Sequence, residues 1–366
     1  DPFELQYPTE VEEWLEDSQC KTIRFNTFGT MLALAGTDGR CSILDFDTRS
    51  ILRYLEGHTA TVTSVSWSKN GSYLLSTGTE GRCFFWDLIT GEPKHELGIP
   101  AGQTPLGVMH PRNSYLAAIC VQTQAPFLCD FKGSAARRVP LNLHYRPNDV
   151  AEYTRLGKFT YNTLAFDRSG KRLFLGSTKG HLVIYHIRKR VVEVVHQINN
   201  STIRHLRFSR RGTDLLVNSG DRSDQSPEEV LEALAQTGPT LTFIHKYQDQ
   251  VNRVQWNECC FTCDGEHVIG GSAHKAEHNI YVWDKNATNL EKMLTGPKEQ
   301  LQDLTWHPFR PVAVSVSVFG NIYIWGAKHR EDWRNWNAFA PDFKELEENV
   351  EYIEREDEFD LVVDDQ

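Results

Sequence analysis

The chain has 366 residues, 40% hydrophobic and 24% charged, enough apolar side chains for a sizeable core. It holds no run of eighteen apolar residues, so no transmembrane helix is expected. Its first seventeen residues are acidic with no basic residue, unlike a signal peptide, and the expectation is a soluble intracellular protein. The net charge of −10 is unevenly spread: residues 337–366 hold seven Glu and five Asp against Lys344 and Arg355. The remainder is therefore near neutral, and the two parts should meet different partners.

In chain order, residues 2–8 precede a series of repeats. The segment Ile23-Arg24-Phe25-Asn26-Thr27-Phe28-Gly29 returns as Val65-Ser66-Trp67-Ser68-Lys69-Asn70-Gly71. It returns again as Leu164-Ala165-Phe166-Asp167-Arg168-Ser169-Gly170 and Leu206-Arg207-Phe208-Ser209-Arg210-Arg211-Gly212. Each copy has a large apolar anchor four residues before a glycine, and weaker copies sit at Met109, Phe261 and Trp306. Phe25, Trp67 and Met109 are 42 residues apart, as are Phe166 and Phe208. A β-rich run and a tight turn follow the anchor, as in residues 32–39, 74–81 and 173–180, with glycine supplying positive φ in the Asp-Gly, Glu-Gly and Lys-Gly pairs. Trp86-Asp87 and Trp283-Asp284 close the unit; Leu44-Asp45, Cys129-Asp130, Tyr185-His186 and Trp325-Gly326 hold the same place. Short strands in units of about 40–45 residues, ending on Trp-Asp, predict four-stranded propeller blades.

Seven anchors predict an all-β, seven-bladed WD-repeat β-propeller over residues 1–333, followed by an extended acidic partner-binding tail over 334–366. Part of residues 2–8 is expected to pair with the last blade and close the ring. Blade five breaks the pattern. Ser226, Pro227 and the run to Ala235 read as a capped helix over 226–236, implying a lost strand or missing chain.

Few residues point to catalysis or metal. Cys260-x2-Cys263 with His274-x3-His278 approaches a zinc spacing. Strand alternation should send the two cysteines to opposite faces, so no metal is expected. The eight cysteines fall mostly in apolar runs and are expected as reduced, buried thiols. No Gly-x-Ser-x-Gly, His-Glu-x-x-His or Walker loop occurs, and no cofactor or enzymatic activity is expected. Catalysis in the central channel would need carboxylates or histidines on several inner strands. The inner runs, taken as Ala33-Leu34-Ala35 and Phe174-Leu175-Gly176, are small and apolar. Ser, His and Asp around Gly57-His58 and Trp86-Asp87 are expected to bond to one another within a blade. Arg204, Arg207, Arg210, Arg211, Arg222, Arg253, Lys275 and Lys298 fall in blades five to seven, with Arg137-Arg138 and Arg188-Lys189-Arg190 elsewhere. They are either solvated loop charge or a basic face for nucleic-acid phosphates.

The tail is the most specific segment. Trp333-Arg334-Asn335-Trp336 leads into Asn337-Ala338-Phe339-Ala340-Pro341-Asp342-Phe343-Lys344-Glu345-Leu346, and acidic residues then alternate with Val350, Tyr352, Ile353 and Phe359. Such a segment suits folding onto partners with apolar pockets and basic rims. Residues 336–352 resemble the segment after the propeller in the retinoblastoma-binding protein 5 family and its fungal counterparts. Residues 354–360, His245-Lys246-Tyr247-Gln248-Asp249, Val251-Asn252-Arg253 and Leu304-Thr305-Trp306-His307-Pro308 are similar to that family too.

The resemblance implies a non-catalytic scaffold subunit of a nuclear COMPASS or trithorax-type histone H3 lysine 4 methyltransferase complex, with no membrane association. It implies that Phe339, Ala340, Pro341, Asp342, Phe343, Lys344, Glu345 and Leu346 support a SET-domain subunit. It implies that Glu354, Arg355, Glu356, Asp357, Glu358, Phe359 and Asp360 bind a SPRY-domain subunit. A second WD-repeat propeller subunit is a further implied partner, to which Leu361-Val362-Val363-Asp364-Asp365 is a weak match. Arg222, Arg253, Lys275 and Lys298 are the implied contacts to nucleosomal DNA. Two other readings remain: a substrate receptor of a ubiquitin ligase, for which only 226–236 offers a docking helix, and a propeller hydrolase.

Overall fold

The computed structural model describes residues 7–17, 19–99, 105–122, 124–143, 159–221, 228–237, 240–247 and 255–327. They form strands in seven four-stranded antiparallel sheets. A leading strand, β1 (Glu10–Leu15), stands before the first blade. Blade 1 is β2 (Cys20–Phe25), β3 (Met31–Gly36), β4 (Cys41–Asp45) and β5 (Ile51–Leu55). Blade 2 is β6 (Val62–Trp67), β7 (Tyr73–Gly78), β8 (Arg82–Asp87) and β9 (Pro93–Gly98). Blade 3 is β10 (Leu106–Met109), β11 (Leu116–Val121), β12 (Gln124–Asp130) and β13 (Arg137–Pro140). Blade 4 is β14 (Tyr161–Phe166), β15 (Arg172–Ser177), β16 (His181–His186) and β17 (Val191–Gln197). Blade 5 is β18 (Ile203–Phe208), β19 (Asp214–Asp221), β20 (Glu228–Thr237) and β21 (Thr240–Tyr247). Blade 6 is β22 (Trp256–Phe261), β23 (His267–Ser272), β24 (Asn279–Asp284) and β25 (Leu290–Thr295). Blade 7 is β26 (Leu301–Trp306), β27 (Ala313–Ser317) and β28 (Ile322–Gly326), completed by β1.

Every sequence anchor is the last residue of its blade's first strand: Phe25, Trp67, Met109, Phe166, Phe208, Phe261 and Trp306. After Met109 and Trp306 the place four residues on is held by Asn113 and Arg310. In the other five blades a glycine stands there and takes positive φ in the following turn, for example 75° at Gly29 and 71° at Gly170. Both turns also abut a histidine of the preceding blade. A Cβ on Gly29 would overlap the His307 ring, and one on Gly170 the His110 ring. The Trp-Asp aspartates cap the next turn: Asp87 Oδ1 accepts the Ile89 amide at 3.0 Å, and Asp284 Oδ1 accepts those of Asn286 and Ala287.

The core lies between blades rather than within one. Ile23, Leu32 and Leu44 of blade 1 pack with Val314 and Ile324 of blade 7, and Leu216 and Leu231 of blade 5 with Trp256 and Trp283 of blade 6. Alternating strand faces give each sheet two apolar sides, and only a closed ring covers both.

Two sequence expectations are corrected here. The N-terminal segment does close the last blade, but through Glu10–Leu15, with Thr9 N–H on the Gly326 carbonyl at 2.8 Å; of the residues 2–8 expected to pair, 2–6 lie outside the described residues. Pro8 has no N–H to give a ladder, whereas Glu10–Leu15 alternates as a strand does. Residues 228–237 are a strand and not a helix. β20 pairs with β19 from Asp214↔Ala235 to Asp221↔Glu228, and with β21 on its other side. Leu231 and Ala233 are buried between blades 5 and 6, and two flanking ladders override a helix-favouring composition. Blade 5 therefore has all four strands.

Candidate functional site

The third correction concerns the channel wall. It is built by the first strand of each blade, β2, β6, β10, β14, β18, β22 and β26, around a cavity of about 480 Å³. The apolar runs at residues 33–35 and 174–176 belong to second strands, one layer out. The inner strands instead bring Arg24, His205, Arg207, Glu258 and Asp303 to the cavity.

These side chains form one ion network. Glu258 Oε1 accepts Arg207 Nε–H at 2.8 Å and a second, shorter bond from Arg207 Nη2. Its Oε2 lies 2.9 Å from His205 Nδ1, and Arg24 Nη2 is 3.5 Å from Oε1. Arg24 Nη1 reaches Asp303 at 2.8 Å. Asp303 Oδ2 also accepts Thr22 Oγ1–H at 2.6 Å and the Ile23 amide at 3.0 Å, and Oδ1 accepts the Leu304 amide. The network thus links blades 5, 6, 7 and 1, spanning the seam where the chain closes.

Its physical reason is the free inner edge. Each inner strand pairs on one side only, so backbone groups facing the cavity need other partners. Neighbouring blades supply them. Asp303 takes the Ile23 amide, Ser64 Oγ the Gly107 amide at 3.1 Å, and Ser66 Oγ the Met109 amide at 2.9 Å. Trp67 Nε1–H donates to the Arg24 carbonyl at 2.8 Å.

Carboxylates and a histidine on inner strands meet the condition set for channel catalysis, but their chemistry points elsewhere. Burial alone would raise the proton affinity of Glu258; Arg207, His205 and Arg24 outweigh it and hold the carboxyl well below the usual range. Arg207, disfavoured as a cation by burial, is held charged by Glu258. A carboxylate so stabilised is a poor base, and the arrangement works as a lock. Arg207, read from sequence as loop charge or part of a basic face, belongs to it.

Two Trp–Ser–His chains order the blades. Trp86 Nε1–H donates to Ser76 Oγ at 2.8 Å, His58 Nε2 meets the same Oγ at 2.7 Å, and His58 Nδ1 meets Glu80 at 2.7 Å. In blade 7, Trp325 and Ser315 repeat this at 2.8 Å, but the histidine is His278 of blade 6, 2.7 Å from Ser315 Oγ. So the Ser–His–Asp network expected within a blade forms at Trp86 with Glu80 in place of Asp87, which caps the next turn, and becomes inter-blade at Trp325. His110 and His307 are rivets of another kind. Their Nδ1 atoms accept the amides of Arg112 and Asn113, and of Phe309 and Arg310. Their Nε2–H groups then donate across to the Gly170 and Gly29 carbonyls at 2.9 and 3.1 Å.

The zinc-like spacing is pulled apart. Cys260 ends near one tip of β22 with Cys263 in the turn beyond it, whereas His274 and His278 stand in the β23–β24 connection at the other end of the blade. The cysteines do not face opposite ways as alternation predicted; both pack against the core between blades 6 and 7. Burial pushes the Cys260 thiol up to about 12. Among the described residues no group of three or more His, Cys, Asp or Glu could hold a metal.

The suggested basic face is divided. Lys275 and Lys298 are exposed, in the β23–β24 and β25–β26 connections, which open on the same end of the ring because the strands alternate in direction. Arg210 and Arg211 stand in the β18–β19 connection at the opposite end. Arg204 lines the channel. Arg222 and Arg253 lie outside the described residues, as do the tail positions 339–346 and 354–360. The inner-strand network was missed in sequence, although its signal is there. Thr22/Arg24, His205/Arg207, Glu258 and Asp303 sit one or three residues before the anchors, where alternation turns side chains away from the inter-blade core.

Residues 49–87 match the family model for the WD domain, G-beta repeat. Protein RBL of Arabidopsis thaliana is 38% identical over 99% of this chain and 72% of its own length. The retinoblastoma-binding protein 5 homolog of Drosophila melanogaster is 37% identical over 99% and 71%. The Set1 complex component swd1 of Schizosaccharomyces pombe is 34% identical over 99% and 89%. The crystal structure of the Myceliophteria thermophila Cps50 (Swd1) β-propeller domain superposes with a TM-score of 0.77 at 30% identity, covering 87% of this chain and all of that one. With the same ring and this identity over nearly its whole length, the chain belongs to the retinoblastoma-binding protein 5 and Swd1 family of WD-repeat propellers.

Proposed function

We propose that this chain is a non-catalytic WD-repeat subunit of a COMPASS-type histone H3 lysine 4 methyltransferase complex in the nucleus. The observation behind this is the reach of the similarity. It covers 99% of the chain in relatives that include a Set1 complex component, and so runs through the acidic tail as well as the ring. A ring alone would suit many partners.

In this reading the ring is a rigid support and the tail does the partner-specific work. Residues 339–346 engage the SET-domain subunit with their aromatic and apolar side chains. Residues 354–360 offer acid to a basic pocket of the SPRY-domain subunit. A second propeller subunit joins the same assembly. Binding both partners with one segment orders them relative to each other and shifts the SET domain toward its competent state. Lys275 and Lys298, with Arg222 and Arg253, would meet nucleosomal DNA through phosphate contacts. The exposure of Lys275 and Lys298 on one end of the ring supports that role.

The test is co-purification of the native protein with identification of what comes with it. A SET-domain subunit, a SPRY-domain subunit and a second propeller are expected. Recovery of cullin adaptors in their place would overturn the reading in favour of a ubiquitin-ligase receptor.

A further inference from the structure

The ring end opposite Lys275 and Lys298 carries a denser positive surface, formed by three connections of blades 4 and 5. The β14–β15 connection brings Arg168 and Lys171, the β16–β17 connection Arg188, Lys189 and Arg190, and the β18–β19 connection Arg210 and Arg211, all exposed. The connections touch. Ile187 N–H donates to the Lys171 carbonyl at 2.9 Å, and Arg168 Nη1 donates to the Arg211 carbonyl at 3.1 Å. The 187–190 turn is preformed, with Arg190 N–H on the His186 carbonyl at 2.9 Å and Lys189 N–H on His186 Nδ1 at 3.2 Å.

Within these connections little acid offsets this, although Arg211 shares a small cavity with Asp264 and Glu266 of blade 6. Asp167 is buried, accepting from Ser169 and the Arg172 amide. Glu193 is largely committed to Arg172 at 2.6 Å, with Lys189 more distant at 3.9 Å. The three connections contain no exposed acidic residue and no large exposed hydrophobic one. An acidic protein segment would want apolar anchors at the centre of its footprint, and single-stranded nucleic acid would want aromatic platforms; Phe309, the exposed aromatic beside Arg210, lies at the edge of the patch and is stacked against the Arg210 guanidinium at 3.9 Å. A duplex backbone needs neither. It needs clustered cations, preferably the arginine fork that fits phosphate oxygens in pairs, and five of the seven cations here are arginine.

We propose that this surface of blades 4 and 5 binds the phosphate backbone of duplex DNA, independently of sequence and separately from the end bearing Lys275 and Lys298. The ring then has two DNA-facing ends and could hold two duplex segments at once.

The test uses the full chain and a labelled random-sequence duplex, with affinity measured against salt. One variant carries Arg188→Glu, Lys189→Glu, Arg210→Glu and Arg211→Glu; another carries Lys275→Glu and Lys298→Glu. The fourfold variant should melt like the parent, bind about tenfold or more weakly, and show a salt slope shallower by roughly one for each phosphate contact removed. A milder Arg188→Gln, Lys189→Gln variant should fall between. If only the Lys275/Lys298 variant loses affinity, the proposal is overturned while the DNA contact proposed for the other end stands. A loss confined to the fourfold variant supports this proposal and refutes that contact. Equal competition by polyglutamate and by unlabelled duplex would also overturn it, in favour of an acidic protein partner.

Discussion

A carboxylate buried among guanidinium groups has given up its water and depends wholly on its partners. Glu258 is such a group, tied to Arg207, His205 and Arg24. Replacing it with Gln should leave the half-buried Arg207 without its main counter-ion and destabilise the ring by about 1–2 kcal/mol, read as a lower midpoint in urea. An unchanged midpoint would mean that the network is decorative. Gly170 makes a second residue-scale test. Gly170→Ala adds a Cβ where φ is 71° and the His110 ring already stands, so it should cost more than the roughly 1 kcal/mol of an ordinary strained glycine site. At this scale sequence reading found the glycines, because their spacing from the anchors repeats. It missed Glu258, whose place three residues before the Phe261 anchor is a signal only once the first strands are recognised as the channel wall.

At the scale of elements, histidines fasten blades, and this gives the fold an acid limit. Burial lowers His278 to about 4, and His58, His110 and His307 are lowered from the same first cause. The folded chain resists a proton that the unfolded chain accepts near 6.5, so stability is complete above that pH. It is lost progressively as pH falls from about 6.5 towards 4. The melting temperature should follow that course, and His278→Gln should melt lower at pH 8 with a shallower fall into acid. A melting temperature that is flat across this window would contradict the assignment. The closing strand offers another test. Deleting residues 1–16 removes β1 and bares the β28 edge and the side chains beneath Val11 and Leu15, so the truncated chain should unfold at markedly lower urea. The misread helix at 226–236 belongs to this scale as well. Its serine, proline and helix-forming Glu, Leu and Ala suit a helix locally, but the ladders of β19 and β21 are long-range and decide the outcome.

For the whole molecule, the ring was legible in the sequence because seven anchors recur, three pairs of them 42 residues apart, and five are followed by the same glycine turn. The seam was less legible, since closure pairs residues near 10 with residues near 326, and no local pattern records it. The distribution of charge over the ring was not legible at all. Cations adjacent in sequence part company once strands alternate, so Arg207 turns into the channel while Arg210 and Arg211 reach one end and Lys275 and Lys298 the other. The signal read as partner-specific lay in the tail, in the motif at 336–352 and in twelve acidic residues among the last thirty. The central claim is that this tail activates a methyltransferase which the ring itself cannot replace. It is tested by reconstituting a SET-domain subunit and a SPRY-domain subunit with the full chain or with residues 1–336, and measuring methylation of histone H3 lysine 4. The account predicts that the full chain raises the rate and that the truncated chain, melting at the same temperature, does not; equal stimulation by both would contradict it.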